Sequence, residues 1–130
     1  MNRKWRAYFD RQLEWVLTQV PERVHELLAE VTLYVEDYPA PEILRRMGLR
    51  RRRSLCGLYT GIPLTHKQVE ASGVLSDAIY LYREGILSLA VDDSGAVDED
   101  ELRRQIRITL LHELGHYHGL SERELRELGY

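Results

Sequence analysis

Residues 106–122 read Ile106-Arg107-Ile108-Thr109-Leu110-Leu111-His112-Glu113-Leu114-Gly115-His116-Tyr117-His118-Gly119-Leu120-Ser121-Glu122, and the middle of that stretch decides how the rest of the chain is read. His112 and His116 stand four residues apart, with a glutamate directly after the first. Residues at that spacing project from one face of a helix, so both imidazoles can hold one metal ion. Glu113 then reaches the metal's open position, where it takes a proton from bound water and later passes it to a leaving amine. Chance placement at this composition gives roughly 0.02 such matches. The helix itself is signalled upstream. Asp98 with Glu101 three residues on has the form of a capping box, and it opens a helix to about Tyr117. Ile106, Ile108, Leu110, Leu111 and Leu114 spread around that helix, which predicts a central element buried on most sides. Two imidazoles and a carboxylate buried there without partners would be costly, which favours a metal site over a plain histidine pair.

A catalytic zinc commonly takes a third protein ligand. Only fourteen residues follow His116 in this sequence, so we expect neither a glutamate twenty or more residues further on nor a methionine-containing turn. The only methionines are Met1 and Met47. The candidates are His118, Glu122, Glu124 and Glu127. His118, two residues past His116, would point to nearly the opposite side of a continuing helix. Gly119 can take a left-handed conformation, end the helix and turn the chain back, which brings Glu122 towards the metal. The alternative for Glu122 is that it only favours the N-terminus of a last helix, Glu122 to Leu128, capped by Ser121. Glu124 and Glu127 read as solvated.

Working towards the N-terminus, Asp77 to Arg83 reads as the clearest strand, stopped by Glu84-Gly85. Ile86 to Val91 fits either a strand or a short helix, and Asp92 to Gly95 a loop. Cys56 to Leu64 predicts strand, turn, strand, with Pro63 favouring an edge, and residues 65–77 read as polar and irregular. Pro41 to Met47 is one or two helical turns with Gly48 as the cap, and Val31 to Val35 is a strand. Pro21 opens a short helix with Val24, Leu27 and Leu28 inward. Trp5, Phe9, Leu13, Trp15, Val16, Leu17 and Val20 recur at helical spacing, so about Arg6 to Gln19 forms an amphipathic helix. The predicted order is α-α-β-α-β-β-β-α-α.

Composition bounds the rest. With 130 residues, 30% charged, 44% hydrophobic and a net charge of −3, the chain fits one globular domain spanning residues 1–130. A lone Cys56 allows no internal disulfide and fits a reducing compartment. No stretch approaches the ~20 apolar residues of a membrane span, and no apolar core of a signal peptide follows the basic start. We therefore expect a cytoplasmic protein without a membrane partner. Six arginines fall in nine residues, Arg45, Arg46, Arg50, Arg51, Arg52 and Arg53. They could neutralise phosphates, but the overall acidity speaks against nucleic acid. The expected partners of this run are acids such as Asp92, Asp93, Asp98 and Asp100.

The segment from His112 to Glu122 resembles the signature of the small bacterial zincin-like metallopeptidases, HExxHxxGxx followed by an acidic residue. The likeness extends through Thr32 to Asp37, Gly57 to Leu64 and Ile79 to Gly85. The resemblance implies an α+β zincin-like fold, with a small mixed β-sheet packed on an active-site helix and a backing helix. It also implies His112 and His116 as zinc ligands, Glu113 as general base and Glu122 as the acidic ligand, where Asp is commoner. Tyr117-His118 stands where a His and then an aromatic are expected, so no role passes to His118.

The function expected is zinc-dependent hydrolysis of peptide bonds in a peptide or protein substrate, with one Zn2+ per chain. The strand Ile79 to Arg83 is read as an edge to which such a peptide could add. Tyr80 or Tyr82 is a candidate substrate-binding donor to the developing oxyanion, set against simple packing of a small sheet. The rival classes are a zinc-stabilised scaffold without turnover and an arginine-rich nucleic-acid binder. Substrate identity and oligomeric state are not readable.

Overall fold

Asn2 accepts a hydrogen bond from the Trp5 backbone N–H at 2.9 Å and so starts helix α1, Arg3–Gln19. The computed structural model describes residues 1–61, 77–127 and 130. Along α1, Phe9, Leu13 and Val16 recur every three or four residues and are buried, as helical periodicity requires. Trp5 and Trp15 depart from the expected inner face, each being 43% exposed. Trp15 instead lies under the Arg103 guanidinium at 4.0 Å. Helix α2, Glu22–Leu28, follows with Pro21 as its N-cap residue.

Strand β1, Thr32–Glu36, leads to helix α3, Pro41–Met47, which ends on Gly48 at φ 70°. A 3-10 turn, Arg52–Ser54, and strand β2, Gly57–Thr60, come next. The second strand expected at Ile62 to Leu64, and residues 65–76, lie outside the described residues. Strand β3, Ala78–Tyr82, passes directly into helix α4, Arg83–Ser88. The Ile86 region is therefore helical, and the strand stops before Glu84-Gly85 as expected, with that pair inside the following helix. Gly85 is required there because a Cβ would lie 2.5 Å from the Leu55 carbonyl oxygen.

The three described strands form one mixed sheet in the order β1-β3-β2, with β1 parallel and β2 antiparallel to β3. This corrects the expectation that Ile79 to Arg83 is an edge, because β3 is the central strand. Its sequence has apolar or aromatic residues at every position, and a strand covered on both sides reads that way. Ile79 and Leu81 face the core, whereas Tyr80 and Tyr82 alternate to the other side. There Tyr80 stacks on Tyr34 at 5.1 Å and on Tyr82 at 6.1 Å.

Helix α5, Glu99–Tyr117, packs against the sheet and against α1. Asp98 Oδ1 accepts from the Glu101 backbone N–H at 3.1 Å. The reciprocal half of the expected capping box is absent, since Glu101 Oε1 accepts from Arg104 and Gln105. The helix buries Leu102, Ile106, Thr109, Leu110, Glu113 and Leu114 and leaves Arg104 and Arg107 exposed. Its first half thus has an exposed face, whereas no residue from Ile108 to Tyr117 is exposed, in line with an element covered on most sides. Ile106 and Leu110 meet Phe9, Leu13, Ile79 and Leu81 in the core, each contributing about 1.5–3 kcal/mol. A short helix α6, Glu122–Glu127, completes the described α+β arrangement. No helix among the described residues is long and apolar enough to cross a membrane.

Candidate metal centre

The last turn of α5 builds the site through its own backbone. Gly119, at φ 95°, donates to the His116 carbonyl at 3.0 Å, and Leu120 donates to the Gly115 carbonyl at 2.9 Å. This pair of bonds is a Schellman motif, which needs a left-handed residue at the glycine. It reverses the chain and has two consequences. The Leu120 carbonyl meets His116 Nδ1 at 3.1 Å, and Glu122 is carried back over the helix face. Ser121 and Glu124 then form the reciprocal capping box of α6, with backbone-to-side-chain bonds of 3.2 Å in each direction. Glu124 is used in that cap and Glu127 pairs with Arg123 at 3.3 Å. His118 is exposed and is the C-cap residue of α5.

Three ring and carboxylate atoms converge. His116 Nε2 lies 2.7 Å from Glu122 Oε1 and 3.2 Å from His112 Nε2, and His112 Nε2 lies 3.3 Å from the same Glu122 oxygen. A neutral imidazole has a single N–H. If His116 gives it to the Leu120 carbonyl, its Nε2 faces Glu122 as acceptor to acceptor. The shortest of the three contacts then needs either an added proton or a cation. Two imidazole nitrogens and a carboxylate are a donor set suited to zinc, and these residues could hold a metal ion between them. The Leu120 carbonyl would orient His116 from behind, the usual role of a hydrogen-bonded partner to a ligating imidazole.

Glu113 sits on the same helix but points towards β2. It is buried, and burial pushes its carboxyl up to about 8, helped by the charge of Glu122 and opposed by a hydrogen bond from the Tyr59 backbone N–H. That bond depends on a close approach of β2 to α5. A Cβ on Gly57 would lie 2.7 Å from Thr109 Cγ2 and 3.1 Å from Glu113 Cγ. The roles of Gly57, the Tyr59 N–H and the Leu120 carbonyl were not read from the sequence; a glycine inside a strand was the one available signal. Burial also works to raise the Glu122 carboxyl, but its hydrogen bonds and charge contacts with His116 and His112 hold it below the usual range.

These groups line a cleft of about 740 Å³ whose other walls include Met47, Leu55, Gly57, Leu58, Leu89 and Ile108. Cys56 borders it, with burial pushing its thiol up to about 11, so it stays protonated near neutral pH. Tyr80 and Tyr82 do not line the cleft. Tyr82 is 1% exposed and its hydroxyl is pushed up to about 12, chiefly by burial. Both belong to the stack on the other face of the sheet, so the structure does not bring these expected substrate-binding donors to the cleft.

The sequence model of the zincin-like metallopeptidases matches residues 28–130. The chain belongs to the zincin-like metallopeptidase family. The match takes in the sheet, α5 and α6, and it leaves out α1, which supplies Phe9, Leu13 and Val16 to the core. No match was found among curated proteins. Zincin-like metallopeptidases use zinc, and the convergence of His112, His116 and Glu122 gives this member a fitting donor set. Membership in a peptidase family points to peptide or protein substrates.

Proposed function

We propose that the chain is a zinc-dependent peptidase of one domain, holding one Zn2+ through His112, His116 and Glu122, with Glu113 as general base. The observation that carries this reading is the meeting of three lone-pair donors within 2.7–3.3 Å beside a buried carboxyl. Zinc bound there would act as a Lewis acid towards a substrate carbonyl and make a coordinated water acidic enough to attack it. The chain's own part is to position and to move protons. Leu120 and the Schellman turn fix the His116 ring, and the Tyr59 N–H fixes the Glu113 carboxylate. Once ionised, the Glu113 carboxylate accepts a proton in the attack step and releases it to the leaving amine. Strand β2 borders the cleft and, among the described residues, is paired only with β3. An extended peptide can therefore add along its other edge, the role expected earlier of β3.

Glu113→Gln keeps the shape of the side chain and removes its basicity. Zinc content should match the parent while kcat falls by on the order of 10²–10⁴. A zinc-loaded variant that cleaves peptides as fast as the parent rules out Glu113 as the base. A parent that binds zinc and cleaves nothing in a broad peptide library leaves the metal as a clamp between α5 and α6.

A further inference from the structure

The arginine run is not absorbed by the metal site, and the structure divides it in two. Arg52 donates to Glu84 at 2.9 Å and lies over the Tyr38 ring at 3.9 Å, while Arg53 meets the same glutamate at 3.5 Å. The expected partners Asp92, Asp93, Asp98 and Asp100 do not fill this role: Glu84 does. Arg45, Arg46, Arg50 and Arg51 are exposed and have no carboxylate partner among the described residues. Glu42, one turn earlier on α3, pairs with neither Arg45 nor Arg46.

These four cations do not line the cleft themselves, but they lie close in the chain to residues that do. Met47, directly after Arg46, lines it, and so do Ser54 and Leu55 at the other end of the run. Arg50 is three residues from Met47 and Arg51 three from Ser54, at most about 11 Å of chain in each case. That is comparable to the Debye length, which is about 10 Å at 0.1 M salt and longer at lower salt. The contrast with the remaining surface is large. Six arginines without an acid, in a chain of net charge −3, leave −9 on the rest.

We propose that this arginine-bearing wall selects polypeptides with acidic residues close to the bond presented to the metal. The proposal rests on the peptidase reading and names its substrate class. An apolar side chain fits between Met47, Leu55, Leu89 and Ile108, and carboxylates flanking it lie over Arg45, Arg46, Arg50 and Arg51. Basic peptides are repelled by the same wall. The attraction acts mainly on encounter and falls with salt.

The test uses the zinc-loaded full chain and three labelled peptides with one apolar centre, flanked by glutamates, glutamines or lysines. At low salt the glutamate peptide should show kcat/KM about tenfold above the glutamine peptide, and the lysine peptide should fall below both. The ratio should shrink towards one at about 0.5 M salt. It should also be lost in the variant Arg45→Gln/Arg46→Gln/Arg50→Gln/Arg51→Gln and kept in Arg23→Gln, which removes a cation elsewhere. Equal cleavage of glutamate and glutamine peptides overturns the proposal and leaves the peptidase reading intact. If no peptide is cleaved, the peptidase reading fails, and fluorescence anisotropy with the same peptides decides the surface. Tighter, salt-sensitive binding of the glutamate peptide, lost in the fourfold variant, supports it; equal binding overturns it. Single-stranded DNA of equal charge that binds more tightly than the glutamate peptide and displaces it overturns it in favour of nucleic acid.

Discussion

Two clusters of charged and polar side chains behave in opposite ways. In the first, Arg83 donates to Asp10 at 2.9 and 3.2 Å and to Asp37 at 2.9 Å, and Arg6 donates to Asp37 at 3.1 and 2.8 Å. Two guanidinium groups meet two carboxylates, every contact joins a donor to an acceptor, and the formal charge is zero. In the second, His112, His116 and Glu122 bring three electron-pair donors to one point, and the backbone carbonyl of Leu120 takes up the other nitrogen of His116. The first cluster is complete and ties α1 to the ends of β1 and β3. The second is complete only with a proton or a cation. Short distances are common to both, so distance alone does not tell the two apart. The balance of donors and acceptors does.

The strongest way to break the comparison is to remove a lone pair from the second cluster. His116→Ala should abolish stoichiometric zinc binding and lower kcat/KM by on the order of 10³ or more, read by metal analysis and peptide assay together. A variant that still carries one zinc per chain would mean that the ion sits elsewhere. The matching change in the first cluster is Arg83→Met. Asp10 loses its partner while Asp37 keeps Arg6, which should cost about 1–2 kcal/mol of stability, seen as a lower Tm. The zinc content of the folded fraction should not change. Loss of zinc in that variant would show that the two clusters are coupled.

A smaller and more selective effect sharpens the contrast. The Asp37 carboxyl is held below its ordinary value of 3.8 chiefly by its hydrogen bond with Arg6, with Arg83 adding to the effect. A group with a depressed folded-state pKa contributes stability that is full above its unfolded pKa and is lost as the pH falls through the folded one. The Tm gap between the parent and Asp37→Asn should therefore be constant above about pH 4 and narrow below it. A gap that stays the same down to pH 2 would mean that the charge on Asp37 contributes nothing.

How much of this was legible in the sequence depends on whether the information is local. His112 and His116 were readable because helical spacing puts them on one face, and Glu113 because it directly follows the first histidine of a recognisable motif. Glu122 was within reach because a glycine three residues before it marks a reversal, and the observed turn at Gly119 is of that kind. The position of β3 inside the sheet was not read, since strand order is set by long-range pairing; the unbroken apolar run Ala78 to Tyr82 was the clue. That run also misled. Tyr80 and Tyr82 were placed near the chemistry, but alternation along the strand sends them to the face away from α5. The Tyr59 N–H and the Leu120 carbonyl are backbone groups, and nothing in residue identity announces that they will meet Glu113 and His116. The pairing of Arg52 with Glu84 depends on a strand passing straight into α4, which the glycine at position 85 concealed.

The central claim is that the second cluster is a metal centre made of two imidazoles and one carboxylate. X-ray absorption at the zinc edge of the loaded protein tests it directly. The account predicts two imidazole nitrogens at about 2.0–2.1 Å and oxygen at about 2.0–2.2 Å, and no specific zinc spectrum in His116→Ala, which should not retain the ion. A sulfur neighbour at about 2.3 Å, which would implicate Cys56, or a spectrum unchanged by His116→Ala, would contradict it.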